Sequence, residues 1–210
     1  MTETKSDKTR ARVIEGAIRA LCASGVTGAT TRKIAAESDV RLATLHYHFD
    51  SKSALLLAVL EALIEEMTKN LRGGVKSSSD LEACIEQVLR ASWRWVARTR
   101  ELQIVQYELT LYALREGAQW LAERQYDAYV EVYSDFLIQV SRETNELSPA
   151  GCAAVARFML AGVDGLILQE LARPNQARSK RSIEALIRST QIYARSIEAQ
   201  AEAAGALPFA

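Results

Sequence analysis

An all-α fold of about nine helices is predicted by three observations. No proline precedes Pro149, and only Pro174 and Pro208 follow it, so little in the chain forces a helix to break. Apolar residues recur at i, i+3 and i+4 from one end to the other. Period-two alternation of β-branched residues, the mark of half-buried strands, is absent.

The first helix is expected from about Lys8 to Ser24. Its stripe is Val13, Ile14, Ala17, Ile18, Leu21 and Cys22, and Gly25 supplies the left-handed stop. Thr30 is placed to cap a short helix over Thr31–Glu37 that turns Ile34 and Ala35 inward. Asp39 and Val40 make a tight turn into a second short helix, about Leu42–Phe49. Ser51 caps a long fourth helix, 52–71, with Leu55, Leu56, Val59, Leu60, Leu63, Ile64 and Met67 on one side.

The Gly- and Ser-rich segment Arg72–Ser79 breaks the pattern, and Ser79 with Glu82 reads as a capping box opening the fifth helix, which ends near Thr99. The sixth covers about Arg100–Leu114, and Gly117 separates it from a seventh reaching about Asn145. Ser148-Pro149 opens the eighth, with proline at the first helical position. Pro174-Asn175 ends it, and the ninth spans about Ser179–Ala204.

The chain has 26 Lys/Arg and 26 Asp/Glu, so net charge advertises no partner. The distribution says more. Residues 1–52 hold nine Lys/Arg against six Asp/Glu, while the remainder holds 17 against 20. A mildly basic first quarter points to contact with phosphate. Cys22, Cys84 and Cys152 are far apart, sit on apolar stripes and read as small buried hydrophobes, so no zinc site or disulfide framework is expected. The polar start MTETKSDKTR lacks the apolar run of a leader peptide, and no uninterrupted apolar stretch reaches membrane-span length. A cytoplasmic, nucleoid-associated protein without cofactor or bound metal is expected.

Function concentrates in Thr30–Lys52, TTRKIAAESDVRLATLHYHFDSK. Two short helices joined by a tight turn form the helix-turn-helix geometry, whose second helix lies in the major groove of DNA. Val40, Leu45 and Phe49 are spaced to bury, which leaves Arg41, Leu42, Ala43, Thr44, His46, Tyr47 and His48 on or near the outer face. Arg41 can read guanine O6/N7 or pin a phosphate; Leu42, Ala43 and the Thr44 methyl can meet thymine methyls. Thr31 and Arg32 open the first short helix, where backbone N–H groups and a guanidinium can hold a phosphate.

This segment resembles the TetR/AcrR (tetracycline-repressor-like) family, whose pattern runs TTxxIAxxAGVSxGTLYYHFxSKxxLL. It is matched at Thr30, Thr31, Ile34, Ala35, Val40, Thr44, Leu45, Tyr47, His48, Phe49, Ser51, Lys52 and Leu55. Beyond it the likeness is one of length, helix count and the DGL run at Asp164–Leu166. The resemblance implies that Tyr47, His48 and Lys52 clamp the DNA backbone. Three positions depart from it: Asp39 stands for the turn glycine, Arg41 for the serine that caps the recognition helix, and His46 for the first tyrosine of the aromatic pair. Asp tolerates the left-handed turn, and the cap is lost.

The expected division is a DNA-binding domain over 1–52, a connecting helix 52–71, and an effector-binding and dimerisation domain within 53–210. The family resemblance implies a small-molecule pocket, and a small aromatic or amphipathic effector would meet Trp93, Tyr107, Tyr112, Trp120, Tyr126, Tyr129, Tyr133 and Phe158. Aromatic filling of a helical core accounts for the same residues. Asp164, flanked by Gly162 and Gly165, is a buried charge that needs a structural hydrogen bond or a ligand. The eighth and ninth helices have more apolar surface than one stripe requires. They are expected to build a homodimer through Phe158, Gly162, Leu166, Leu186, Thr190, Tyr193 and Ile197, as the resemblance also implies.

A transcription regulator follows: a repressor that leaves a pseudo-palindromic operator when a small molecule binds. A regulator without an effector, and an activator, stand beside it. An enzyme is disfavoured because both histidines, His46 and His48, fall in the DNA motif and no nucleophile, metal or phosphate-loop spacing accompanies them.

Overall fold

The computed structural model describes residues 4–76 and 78–205. Among these residues there are nine helices and no strand: α1 Lys5–Gly28, α2 Thr31–Glu37, α3 Leu42–His48, α4 Lys52–Gly74, α5 Leu81–Arg98, α6 Arg100–Arg115, α7 Gln119–Thr144, α8 Pro149–Ala172 and α9 Gln176–Gly205. Ser77, within the expected break after α4, and Pro208 lie outside the described residues.

Most helix ends obey local chemistry. Ser148 caps α8 by accepting from the Gly151 N–H at 3.2 Å, with Pro149 at the first position. Ser51 accepts from the Ala54 N–H at 3.1 Å at the head of α4. Three starts differ from expectation. The first helix begins at Lys5, because Thr4 and Asp7 form a reciprocal capping box. The fifth is capped by Asp80 rather than Ser79: the Asp80 carboxylate accepts from Ala83 N–H at 2.8 Å and from the Ser79 hydroxyl at 2.9 Å. A carboxylate is the stronger acceptor for an open amide, and Glu82, the expected partner in that box, instead pairs with Arg195 at 2.8 Å. The last helix begins at Gln176, three residues before Ser179, because Asn175 accepts from the Arg178 N–H at 2.8 Å.

The helices pack into two compact units, the described parts of Met1–Glu66 with Thr99–Gln125, and of Met67–Arg98 with Tyr126–Ala210. α4 and α7 each run uninterrupted through both. In the first unit, Val13, Ala17 and Leu21 of α1 bury with Ile34, Leu45, Phe49, the α4 stripe from Leu55 to Leu63, and Val105, Leu109 and Ala113 of α6. Helix α6 thus shares the core of the N-terminal helices. The second unit buries Ile85, Val88 and Leu89 of α5, Leu137 of α7, Val155, Met159 and Val163 of α8, and Ile183 and Ile187 of α9. In it α8 lies along α9, and a methyl on Gly162 would stand 2.3 Å from Leu186 Cδ1. By length and composition α8 alone among the described residues is apolar enough to cross a membrane, which amends the expectation from uninterrupted runs, since Arg157 and Asp164 interrupt it. Within the protomer 44% of its apolar window is buried.

Candidate nucleic-acid interface and effector region

The turn between α2 and α3 has the geometry the motif demands. Thr30 caps α2 through the Lys33 N–H at 3.3 Å. Asp39 takes φ 50°, doing the work of the glycine it stands for, and the Val40 N–H donates to the Ala35 carbonyl at 3.0 Å. Arg41 starts α3 with its side chain making no cap. Leu45 and Phe49 are buried and fasten α3 to the core. On the other side Arg41, Ala43, His46 and Tyr47 are exposed, and Leu42, Thr44 and His48 half-buried. The Tyr47 side chain is 80% exposed, with the His48 ring edge-on to it at 5.2 Å. Arg32 is exposed and Thr31 half-buried at the head of α2. Arg10 of α1, absent from the expected set, lies over the Phe49 ring at 5.2 Å and puts another cation beside α3. Only the folded pairing of α1 with α3 reveals it.

Lys52 is placed differently from its neighbours. Its Nζ donates to the Val26 carbonyl at 2.7 Å and lies 5.2 Å from the centre of the Tyr112 ring. Burial lowers its pKa, and Glu116 offsets part of that. The Val26 N–H donates in turn to Glu108 Oε2 at 3.0 Å, so one residue at the end of α1 is held from both α4 and α6. Gly25, just before it, has φ 67° and interrupts the helical geometry, as its stop role predicts.

Of the expected effector residues, Tyr107, Tyr112 and Trp120 belong to the first unit and Trp93, Tyr126, Tyr129, Tyr133 and Phe158 to the second. Tyr112 lies under Lys52, and Trp120 is largely exposed. In the second unit Tyr129 and Tyr133, one turn apart on α7, are buried, and Ser92 of α5 hydrogen-bonds Tyr133. Trp95, one turn beyond Ser92 on α5, is also buried. Asp164 is half-buried rather than buried. Burial pushes the Tyr133 hydroxyl up to about 12, against the Ser92 hydrogen bond, and the negative Asp164 adds to the rise. Tyr129 is raised by burial first and by Asp164 next. A cavity of about 590 Å³ lies elsewhere in this unit, between the end of α4 (Thr68, Arg72) and the Val132, Phe136 and Gln139 face of α7. It shares no residue with the expected set.

The expected dimer face needs correction at Thr190. This side chain is 0% exposed and its hydroxyl donates to the Leu186 carbonyl at 2.8 Å, so it faces the protomer's own interior. Gly162 and Leu186 meet each other inside the same α8–α9 contact. Phe158 is exposed and packs on Tyr193 at 5.0 Å rather than in the α7 cluster; Leu166 and Ile197 are half-buried. Leu168 and Ile192, the latter 61% exposed, are apolar side chains on these helices that helical periodicity did not single out.

Two family descriptions match the chain: Bacterial regulatory proteins, tetR family, over residues 13–59, and Tetracyclin repressor-like, C-terminal domain, over residues 79–190. It is similar to the HTH-type nicotine-responsive transcriptional repressor HdnoR of Paenarthrobacter nicotinovorans, 27% identical over 172 residues, spanning 81% of this chain and 88% of that one. Among solved structures, the multidrug binding protein EbrR complexed with imidazole is 27% identical with a TM-score of 0.64, covering 86% of this chain and 89% of that one. A member of the TetR family from Streptomyces coelicolor A3, SCO1917, is 27% identical with a TM-score of 0.67, covering 86% and 97%.

Proposed function

The chain belongs to the tetR family of bacterial regulatory proteins, and on that footing we propose that it is a cytoplasmic, homodimeric repressor that releases its operator when a small molecule binds. It is a DNA-binding transcription regulator with a helix-turn-helix. The observation that carries the reading is α3: anchored by Leu45 and Phe49, it holds Tyr47 almost fully in solvent. A tyrosine so exposed on a rigid short helix has no folding role, and it suits a DNA backbone.

Residues up to Lys52 form the DNA-binding part. Arg41, Leu42, Ala43, Thr44 and His46 enter the major groove, where Arg41 and the small apolar groups meet base edges. Thr31, Arg32, Tyr47 and His48 hold sugar and phosphate, with Arg10 added to them. Lys52 acts at one remove, by fixing the Val26 peptide that leads into α2. In the dimer, built on α8 and α9, two copies of α3 stand about 34 Å apart, one turn of B-form DNA.

The relatives named above, one nicotine-responsive and one multidrug-binding, support a small-molecule effector. Such a molecule shifts the population between two forms of the dimer only by binding one of them more tightly. Because α4 is one uninterrupted helix from Lys52 to Gly74, it offers a covalent route for that coupling. The test is footprinting of the full chain on the DNA upstream of its own gene, followed by a screen for compounds that release the fragment. Protection of a pseudo-palindrome and its loss with a compound are expected; a protected site that no compound releases would leave a regulator controlled otherwise.

A further inference from the structure

Helix α6 is apolar on both sides. Val105, Leu109 and Ala113 bury in the core of the first unit. On the outer side Ile104 is 41% exposed, Leu111 52% and Leu114 55%, with Tyr107 half-buried between them. Single apolar side chains are ordinary on a protein surface. These four, however, follow one another at steps of three, four and three residues. Such steps align them as one stripe, the seam through which two helices pair.

The stripe is complementary to itself. When two α6 helices cross antiparallel at their middles, Ile104 stands opposite the partner's Leu114, and Tyr107 opposite the partner's Leu111. The same register brings the flanking charges together. Glu101 and Arg115 are both exposed and lie along one edge of the stripe, so Glu101 meets the partner's Arg115, and symmetry repeats the pair. In a parallel pair Arg115 meets the uncharged Thr110 instead. We propose that the outer face of α6 docks a second copy of this chain in antiparallel register. It shares no residue with the dimer face proposed on α8 and α9, so it supplies a second contact, between dimers. Because α6 shares the core of the N-terminal helices, the contact joins units that carry the helix-turn-helix. Four side chains from each helix cover less than about 1,200 Å² in total, the size of a weak interface, so the pairing belongs to concentrated protein or to neighbouring sites on one DNA.

Sedimentation velocity on the full chain, from low to high micromolar concentration, tests it. A concentration-dependent doubling of the mass found in dilute solution is expected. Leu111→Arg changes an exposed position and should abolish the doubling while leaving thermal melting where it was. Glu101→Arg and Arg115→Glu should each weaken the association about tenfold, because two exposed pairs turn from attraction to repulsion, and the two changes together should restore it. No doubling in the unaltered chain, a doubling that survives Leu111→Arg, or a charge exchange that fails to restore it each overturn the proposal. The unaltered chain and the charge exchange decide the matter even if Leu111→Arg fails to fold. Ile192→Glu separates the two faces: the Leu111-dependent doubling should persist from the smaller species, and its loss would overturn the α6 contact as an independent surface. A dimer that tolerates Ile192→Glu but not Leu111→Arg would keep the α6 contact and remove the α8–α9 dimer.

Discussion

Lys52 Nζ donates to the Val26 carbonyl oxygen across 2.7 Å, tying the first turn of α4 to the last turn of α1. With Glu108 accepting from the Val26 N–H at 3.0 Å, a single residue carries both ends of the connection. The elbow between α1 and α2 takes its position from this pairing, and the helix-turn-helix follows the elbow.

Lys52→Met is therefore expected to lower unfolding stability by about 1.5–3 kcal/mol, the range for a hydrogen bond to a charged group. Operator affinity should fall for all sequences, but the slope of log affinity against log salt should stay the same, because this charge is not spent on a phosphate. Denaturant melts and a salt titration measure the two effects. A slope smaller by about one would return Lys52 to the phosphate contacts.

Tyr47→Ala and Arg41→Ala change side chains that stand in solvent, so melting should move little, within about 0.5 kcal/mol. Tyr47→Ala should weaken binding to every operator sequence about tenfold. Arg41→Ala separates two roles in the same assay: relaxed preference at one base pair marks base reading, and a salt slope reduced by about one marks a phosphate contact.

Gly25 has φ 67°, and a methyl there would stand 2.9 Å from Glu108 Oε2. Gly25→Ala should destabilise the protein by about 1–3 kcal/mol through both backbone strain and that contact. In the double variant with Glu108→Ala the contact part disappears and the backbone part remains, so the combined loss should be less than the sum of the two single losses.

Ile192→Glu is expected to dissociate the dimer proposed on α8 and α9, since a charge in an apolar helix face between subunits would lack a partner there. Thr190→Val, two residues away but turned into the protomer, should leave the dimer whole. Sedimentation velocity on the two variants distinguishes the faces; a dimer that tolerates Ile192→Glu would move the interface elsewhere.

Tyr129→Phe removes a buried hydroxyl that has no hydrogen-bond partner among the described residues, with little change of shape. The ligand-free protein should gain about 1 kcal/mol of stability in thermal or denaturant melts. A loss instead would mean that the hydroxyl is satisfied by ordered water.

The helices, the capped starts at Thr30, Ser51 and Ser148, and the aspartate turn at Asp39 could all be read from residues a few positions apart. So could the outward side of α3, because Leu45 and Phe49 name the inward side. The caps that differ, Thr4, Asp80 and Asn175, lie within one to four residues of the expected starts. There, several polar side chains compete for the same amides, and the choice depends on where the others are drawn, as Glu82 is to Arg195.

Class of fold, helix-turn-helix and the outward side of α3 were thus determined by the order of residues alone, since helical periodicity and capping act over one or two turns. Tertiary structure decided what lies far apart in the chain: that α6 shares a core with the N-terminal helices, that Lys52 grips Val26, that Arg10 lies over Phe49, and that Thr190 turns inward. An apolar stripe specifies that a helix face will be buried, but its partner is chosen by the packing of all the stripes together.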